Sequence, residues 1–98
     1  MNVKKLQFVI GCTPTKELLA LLAEEAAELA QAALKLRRTM DDVNPTPVTK
    51  AEAMDKLLEE IADVQLMLKT LGLDDLDDYD RRKGEKLDRW AERLELEE

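Results

Sequence analysis

Residues 24–38 read EEAAELAQAALKLRR, and residues 57–72 read LLEEIADVQLMLKTLG. Both stretches consist of strong helix formers whose apolar side chains recur at the helical period, so each predicts a long amphipathic α-helix. In both, carboxylates stand where the apolar face should close. Acidic residues normally occupy the solvated side of such a helix, so their position here needs an explanation.

The ends of the first long helix are indicated by capping and breaking residues. The stretch TPTKELL predicts its start, because Thr13 can cap the free amides while Pro14 takes the first helical position. Strong helix formers then continue to about Arg38 or Met40. The segment DDVNPTPV at residues 41–48 contains two prolines and predicts a break in the chain.

The second long helix is predicted to open at TKAE, where Thr49 and Glu52 have the spacing of a capping box. It closes at Gly72, which suits the left-handed position after a helix. The acidic stretch LDDLDD at residues 73–78 then predicts the start of a third helix, because carboxylates are favourable at the positive end of the helix dipole. We expect this helix to run to about Leu94.

The chain has 98 residues, which we interpret as one domain over residues 1–98 with a limited core. Its first dozen residues are a short apolar segment, predicted as extended or as an irregular helical turn. Three helices joined by short loops predict an all-α fold, a small helical bundle. Because the apolar arcs of both long helices are wide, we expect a homodimer or homotetramer in which two subunits complete a four-helix core.

Charge and composition exclude several kinds of site. The chain carries 22 acidic and 15 basic residues, a net charge of −7, which argues against nucleic acid as a partner. The single cysteine, the lack of a secretory segment and the lack of an apolar run near about 18 residues predict a cytoplasmic protein without a membrane partner. There is no histidine, so a bound metal ion would be held by oxygen.

The carboxylates can be located by placing residues about 100° apart around each helix. Glu25 then falls inside one edge of the first apolar stripe, and Glu28 lies on the same flank. On the second helix Glu60 projects from the apolar face, and Asp63 lies beside Met67 at its boundary. The two pairs could therefore face one another across antiparallel helices.

Such acidic rows have two interpretations. Most glutamates on Ala- and Leu-rich helices lie on solvated faces and pair with Lys or Arg. Two acidic pairs on apolar flanks fit that interpretation less well, because two carboxylates about 6 Å apart at an effective dielectric near 20 repel by roughly 3 kcal/mol. A hard divalent cation would compensate this repulsion, and a set of carboxylates suits Mg²⁺ or Mn²⁺.

The pattern EEAAEL at residues 24–29, followed by EEIADV at residues 59–64, resembles the MazG-like branch of the all-α nucleoside triphosphate pyrophosphohydrolases, whose signature is ExxE, a spacer and ExxD. EKLDRWAERL at residues 85–94 is similar to the K-[LF]-x-R segment of that family. The resemblance covers about Glu17 to Leu94. It implies an oligomeric, Mg²⁺-dependent hydrolase that converts a (d)NTP to a (d)NMP and pyrophosphate.

The resemblance also implies which residues form the site. One helical turn separates Lys86 from Arg89, which would contact the phosphates of the substrate; their alternative is ordinary surface pairing with neighbouring acidic residues. The attacking water would be oriented by Glu24 or by one of the metal ligands, and the sequence does not select between them. The implied metal ligands are four carboxylates: Glu25, Glu28, Glu60 and Asp63.

Two other functions remain open at this stage. A phosphoribosyl-ATP pyrophosphohydrolase-like enzyme would share the fold, but its histidine-containing segment after ExxD has no counterpart here. A non-enzymatic helical oligomerisation module would carry the same glutamates as solvated rows. Dependence of phosphate release on Mg²⁺ separates this module from an enzyme. The preferred base is also open, because the aromatic-rich N-terminal segment of dCTP-hydrolysing relatives is not found.

Overall fold

The computed structural model describes residues 1–40 and 47–97. Within these ranges there is no strand, so the prediction of an all-α fold is confirmed. The predicted number of three helices is wrong, because the first dozen residues form a helix of their own. The four helices are α1 (Val3–Cys12), α2 (Thr15–Thr39), α3 (Lys50–Thr70) and α4 (Asp78–Glu97).

The helix α1 forms because its first turn is capped. Asn2 Oδ1 accepts a hydrogen bond from the Lys5 amide at 3.1 Å. The helix ends at Cys12, and its C-cap residue Thr13 has an extended backbone, as expected before Pro14. The predicted cap by Thr13 is wrong, since α2 begins at Thr15 without a side-chain cap. No single described helix has the length and apolar composition needed to span a membrane. The helices α1 and α2 meet that criterion of length and composition only when taken together, and their axes are bent by 112° relative to each other.

Both predicted ends of α3 are confirmed. Thr49 Oγ1 accepts a hydrogen bond from the Glu52 amide and donates one to the Glu52 carboxylate, each at 3.1 Å, so one amide of the first turn is satisfied. At the other end Gly72 adopts a φ of 70°, and the amides of Gly72 and Leu73 bond to carbonyls of the last turn. Of the predicted break at residues 41–48, residues 41–46 lie outside the described part of the chain.

The core lies between α2 and α3, which run antiparallel. Leu18 near the start of α2 lines one cavity with Thr70 at the end of α3, whereas Lys35 lines another with Lys56. In each helix an unbroken series of buried or half-buried residues recurs at alternating intervals of four and three, the spacing of coiled-coil packing. This series, the α2/α3 seam, consists of Leu18, Leu22, Glu25, Leu29, Ala32 and Leu36 with Ala53, Leu57, Glu60, Val64, Met67 and Leu71.

The molecule exposes more surface than a compact domain of its size. Its accessible surface is 8100 Å², whereas a folded monomer of 11.2 kDa exposes about 5,700 Å². The radius of gyration is 17.4 Å, against about 13 Å for a compact domain of this length. The two-helix core therefore leaves the outer faces of the helices without a protein partner in the described ranges.

The helix α4 packs against none of the other described helices. Its first turn is held only locally, where the Tyr79 hydroxyl donates to the Leu73 carbonyl. One face carries an apolar row, Leu87, Trp90 and Leu94, whose members are 62%, 54% and 53% exposed. No other described helix of the chain covers this row.

Candidate metal centre

Three carboxylates meet in the α2/α3 seam. Glu25 of α2 and Glu60 and Asp63 of α3 each offer an oxygen, and these oxygens lie within 4.8 Å of one another. Glu60 is only 2% exposed, while Glu25 and Asp63 are half-buried. They meet because antiparallel packing sets the middle of α2 against the middle of α3. Glu25 and Glu60 occupy seam positions that normally hold apolar residues, deeper than the flank predicted from helix phase.

Two oxygens of this carboxylate cluster lack a donor. Glu25 Oε2 and Glu60 Oε2 are both closed to solvent, and neither has a hydrogen-bond partner in the described structure. The other oxygen of Glu60 is paired with Lys56 Nζ at 2.9 Å. A buried carboxylate oxygen without a donor costs free energy, and a single ammonium does not offset three carboxylates. The cluster therefore lacks positive charge.

The electrostatics agree with that conclusion. Burial raises the pKa of Glu25 above its ordinary value of 4.5, and the neighbouring carboxylates of Glu28, Asp63 and Glu60 raise this pKa further. All of these effects disfavour the charged form. The pKa of Lys56 is raised, first by its hydrogen bond to Glu60 and then by the adjacent carboxylates. Protons or cations are thus drawn to the cluster.

The raised pKa of Glu25 predicts how the metal-free protein responds to pH. The folded state binds this proton more tightly than the unfolded state, whose pKa is the ordinary 4.5. The resulting stabilisation is complete below 4.5 and is lost as pH rises through the folded-state pKa. In chelator, the wild type should therefore melt at a higher temperature as the pH is lowered from about 7.5 toward the folded-state pKa of Glu25.

Thermal melting of wild type, Glu25→Gln and Glu24→Gln over this pH range measures that effect. Glu25→Gln should flatten the pH dependence, because the titrating group is gone. Glu24→Gln removes the same charge from the exposed neighbouring position and should retain the slope of the wild type. An identical slope in wild type and Glu25→Gln contradicts the prediction.

The donor set of the cluster suits a hard divalent cation. Mg²⁺ binds oxygen at about 2.0–2.1 Å in octahedral geometry, so adjacent ligands lie about 3 Å apart and opposite ligands about 4.2 Å apart. The three carboxylate oxygens lie within 4.8 Å of one another, which leaves room for one ion between them. All three donors are carboxylates, which favour Mg²⁺ or Mn²⁺ over softer metals.

The remaining predicted site residues lie around or away from this cluster. Glu28 is exposed at its rim, close enough to raise the pKa of Glu25. Glu24 is exposed to solvent, as expected. Lys86 and Arg89 are exposed on α4, which contacts neither α2 nor α3 in the described ranges. A single chain therefore does not bring these two cations to its own carboxylates.

A polar cavity beside the cluster contains residues that the sequence analysis missed. It has a volume of about 430 Å³ and includes the cations Lys35, Arg38 and Lys56. Their position around the helix could have indicated them, since Lys35 and Arg38 follow Glu28 by seven and ten residues and lie on the same face of α2. Similarly, Lys56 precedes Glu60 by one helical turn.

A second cavity lies on the opposite side of the cluster, toward α1. Its volume is about 320 Å³, and most of its lining residues are apolar, among them Leu18, Leu21, Leu66 and Met67. The carboxylate cluster thus separates an apolar cavity from a cationic one along the α2/α3 pair.

Comparison with protein-family models, with curated proteins and with solved structures finds no match for this chain. The likeness to MazG-like enzymes therefore stays a prediction carried by the ExxE and ExxD motifs.

Proposed function

We propose that this protein is a Mg²⁺-dependent nucleoside triphosphate pyrophosphohydrolase that converts a (d)NTP to the (d)NMP and pyrophosphate. The observation that supports this most strongly is Glu60, which is 2% exposed, carries an oxygen without a donor and faces Glu25 and Asp63. An oligomerisation module with solvated glutamates has no use for such a residue. A buried, under-neutralised carboxylate cluster has a clear use in holding a cation.

In this proposal the carboxylates of α2 and α3 have different roles. Glu25, Glu60 and Asp63 hold the ion, and Glu28 completes the set from the rim. When bound, Mg²⁺ offsets phosphate charge and lowers the pKa of water. Water attacks the α-phosphorus, the bond to the bridging oxygen breaks, and pyrophosphate leaves. Glu24, the exposed neighbour of Glu25 in the chain, or Glu28 at the rim of the cluster accepts the proton of the attacking water.

The proposed enzyme acts as a homodimer or homotetramer. Each chain exposes about 2,400 Å² more than a compact monomer of its mass. This excess is larger than the about 800 Å² that each partner contributes to a standard interface. A second copy that packs on the exposed faces of α2 and α3 would complete a four-helix core and cover the apolar row of α4. It would also allow Lys86 and Arg89 to contact phosphates bound to another subunit.

Product analysis tests this function. The purified protein should convert at least one of the common (d)NTPs to NMP and pyrophosphate, at a rate that falls at least about a hundredfold when Mg²⁺ and Mn²⁺ are removed. Chromatography of the products identifies the cleaved bond. Formation of NDP and orthophosphate would place the cut elsewhere. Turnover of phosphoribosyl-ATP alone would favour the alternative enzyme, and no turnover with any of these substrates would favour the oligomerisation module.

A further inference from the structure

The cationic cavity beside the carboxylate cluster differs in charge from the rest of the molecule. Its charged lining consists of Lys35, Arg38 and Lys56 with the carboxylates of Glu28 and Glu60, three cations against two anions in a chain of net charge −7. Glu60 belongs to the cluster and pairs with Lys56 at 2.9 Å. Lys35 and Arg38 follow Glu28 by seven and ten residues along α2, so the cavity has two further cations in addition to the one that pairs with Glu60.

Arginine and lysine provide two different kinds of phosphate contact. The planar guanidinium of Arg38 can donate two parallel hydrogen bonds to one phosphate, whereas the ammoniums of Lys35 and Lys56 act as compact charges. Cations near the C-terminus of a helix also interact favourably with its dipole, which alone would explain basic residues at the end of α2. That effect does not explain Lys56, which lies on α3 and lines the same cavity.

We infer that this cavity binds the pyrophosphoryl group of the substrate, the β- and γ-phosphates, and that Lys35 and Arg38 make a triphosphate the required substrate. This inference rests on the proposed function and assigns the cavity as the binding site of the pyrophosphate leaving group. When the bond between the α-phosphorus and the bridging oxygen breaks, the electron pair stays on the pyrophosphate. Lys35 and Arg38 stabilise that added charge within the same chain that holds the metal ion.

Substitutions in the cavity test this role against a matched control. Lys35→Gln and Arg38→Gln each remove one cation from the cavity. Lys16→Gln removes the same charge from an exposed position on the same helix that lines neither of the two cavities described above. Each variant is measured for pyrophosphate affinity by calorimetry in Mg²⁺, for the KM of the best (d)NTP, and for the rise in melting temperature with Mg²⁺ alone.

Each cavity variant should weaken pyrophosphate binding and raise the KM about tenfold, because a charge-assisted hydrogen bond is lost. The response to Mg²⁺ alone should stay near that of the wild type, which also shows that the variants are folded. Lys16→Gln should change neither affinity nor KM. Lys35→Arg, which restores the charge, should recover most of the lost affinity.

Wild-type affinity for pyrophosphate in Lys35→Gln and Arg38→Gln would overturn the inference. So would an equal loss in Lys16→Gln, since binding would then reflect net charge alone. Failure of the proposed function gives a different result: the wild type binds pyrophosphate through Lys35 and Arg38 but hydrolyses no (d)NTP. If the wild type hydrolyses (d)NTP and the cavity variants keep the KM of the wild type, the proposed function stands. The inference that the cavity binds the pyrophosphoryl group is then refuted.

Discussion

Replacing Glu60 by Gln is expected to lower the turnover of the best (d)NTP by at least about two orders of magnitude. The amide keeps the shape of the side chain but is a weaker ligand for Mg²⁺, and its position is too buried for solvent to substitute. In chelator the variant should melt about 2–6 °C above the wild type, because one charge is removed from a crowded cluster. In Mg²⁺ the difference between the two melting temperatures should become smaller or reverse in sign, since the wild type gains more stability from binding the ion.

The ion pair of Glu60 with Lys56 makes this prediction a strict test. The Lys56 side chain is 56% exposed, so solvent screens the pair and its loss should cost less than the relief of repulsion gains. If the role of Glu60 were only to hold Lys56, Glu60→Gln would be less stable than the wild type in chelator.

The matched control is Glu59→Gln, which removes the same group from the neighbouring exposed position, where Glu59 also contacts Lys56. It should retain the turnover and the Mg²⁺ response of the wild type. The wild type, Glu60→Gln and Glu59→Gln are compared by their melting temperatures in chelator and in Mg²⁺ and by their steady-state rates. An active Glu60→Gln that is destabilised in chelator would show that Glu60 is a structural carboxylate.

The second large effect is expected at the apolar row of α4. If the proposed oligomer forms through this row, Leu94→Glu should shift it toward monomers and raise the dissociation constant by at least about a hundredfold, because a charge would be buried at the contact. Leu96 is 86% exposed and lies on the opposite side of the helix, about 200° from Leu94. Leu96→Glu introduces the same charge and should leave the oligomer intact.

Light scattering over a range of protein concentrations measures the association of the wild type, Leu94→Glu and Leu96→Glu. Circular dichroism measures their helix content as an independent readout. Dissociation of Leu94→Glu should also reduce the helix content, since α4 contacts no other described helix within its own chain. A wild type that is monomeric at all measurable concentrations would refute the proposed assembly. Equal association of Leu94→Glu and the wild type would place the interface elsewhere.

Local features of the fold were predictable because they depend on residues close together in the chain. The capping box at Thr49 and Glu52 and the left-handed Gly72 were both read from short patterns, and both are confirmed. The helix α1 was missed because its start depends on one cap at Asn2, a signal shared by many turns. The three carboxylates that cluster, Glu25, Glu60 and Asp63, were also singled out from the sequence, since ExxE and ExxD are patterns within single helices.

Local sequence patterns were enough to predict that long helices form, where α3 begins and ends, and that Glu25, Glu60 and Asp63 lie near apolar stripes. Only the tertiary structure placed Glu25 and Glu60 inside the α2/α3 seam, and only it joined Lys35, Arg38 and Lys56 in one cavity. A straight helix drifts by about 20° per heptad from a repeat of seven, so the face that becomes buried depends on the partner helix. That choice follows from packing between residues far apart in the chain, which the periodicity of either helix alone does not contain.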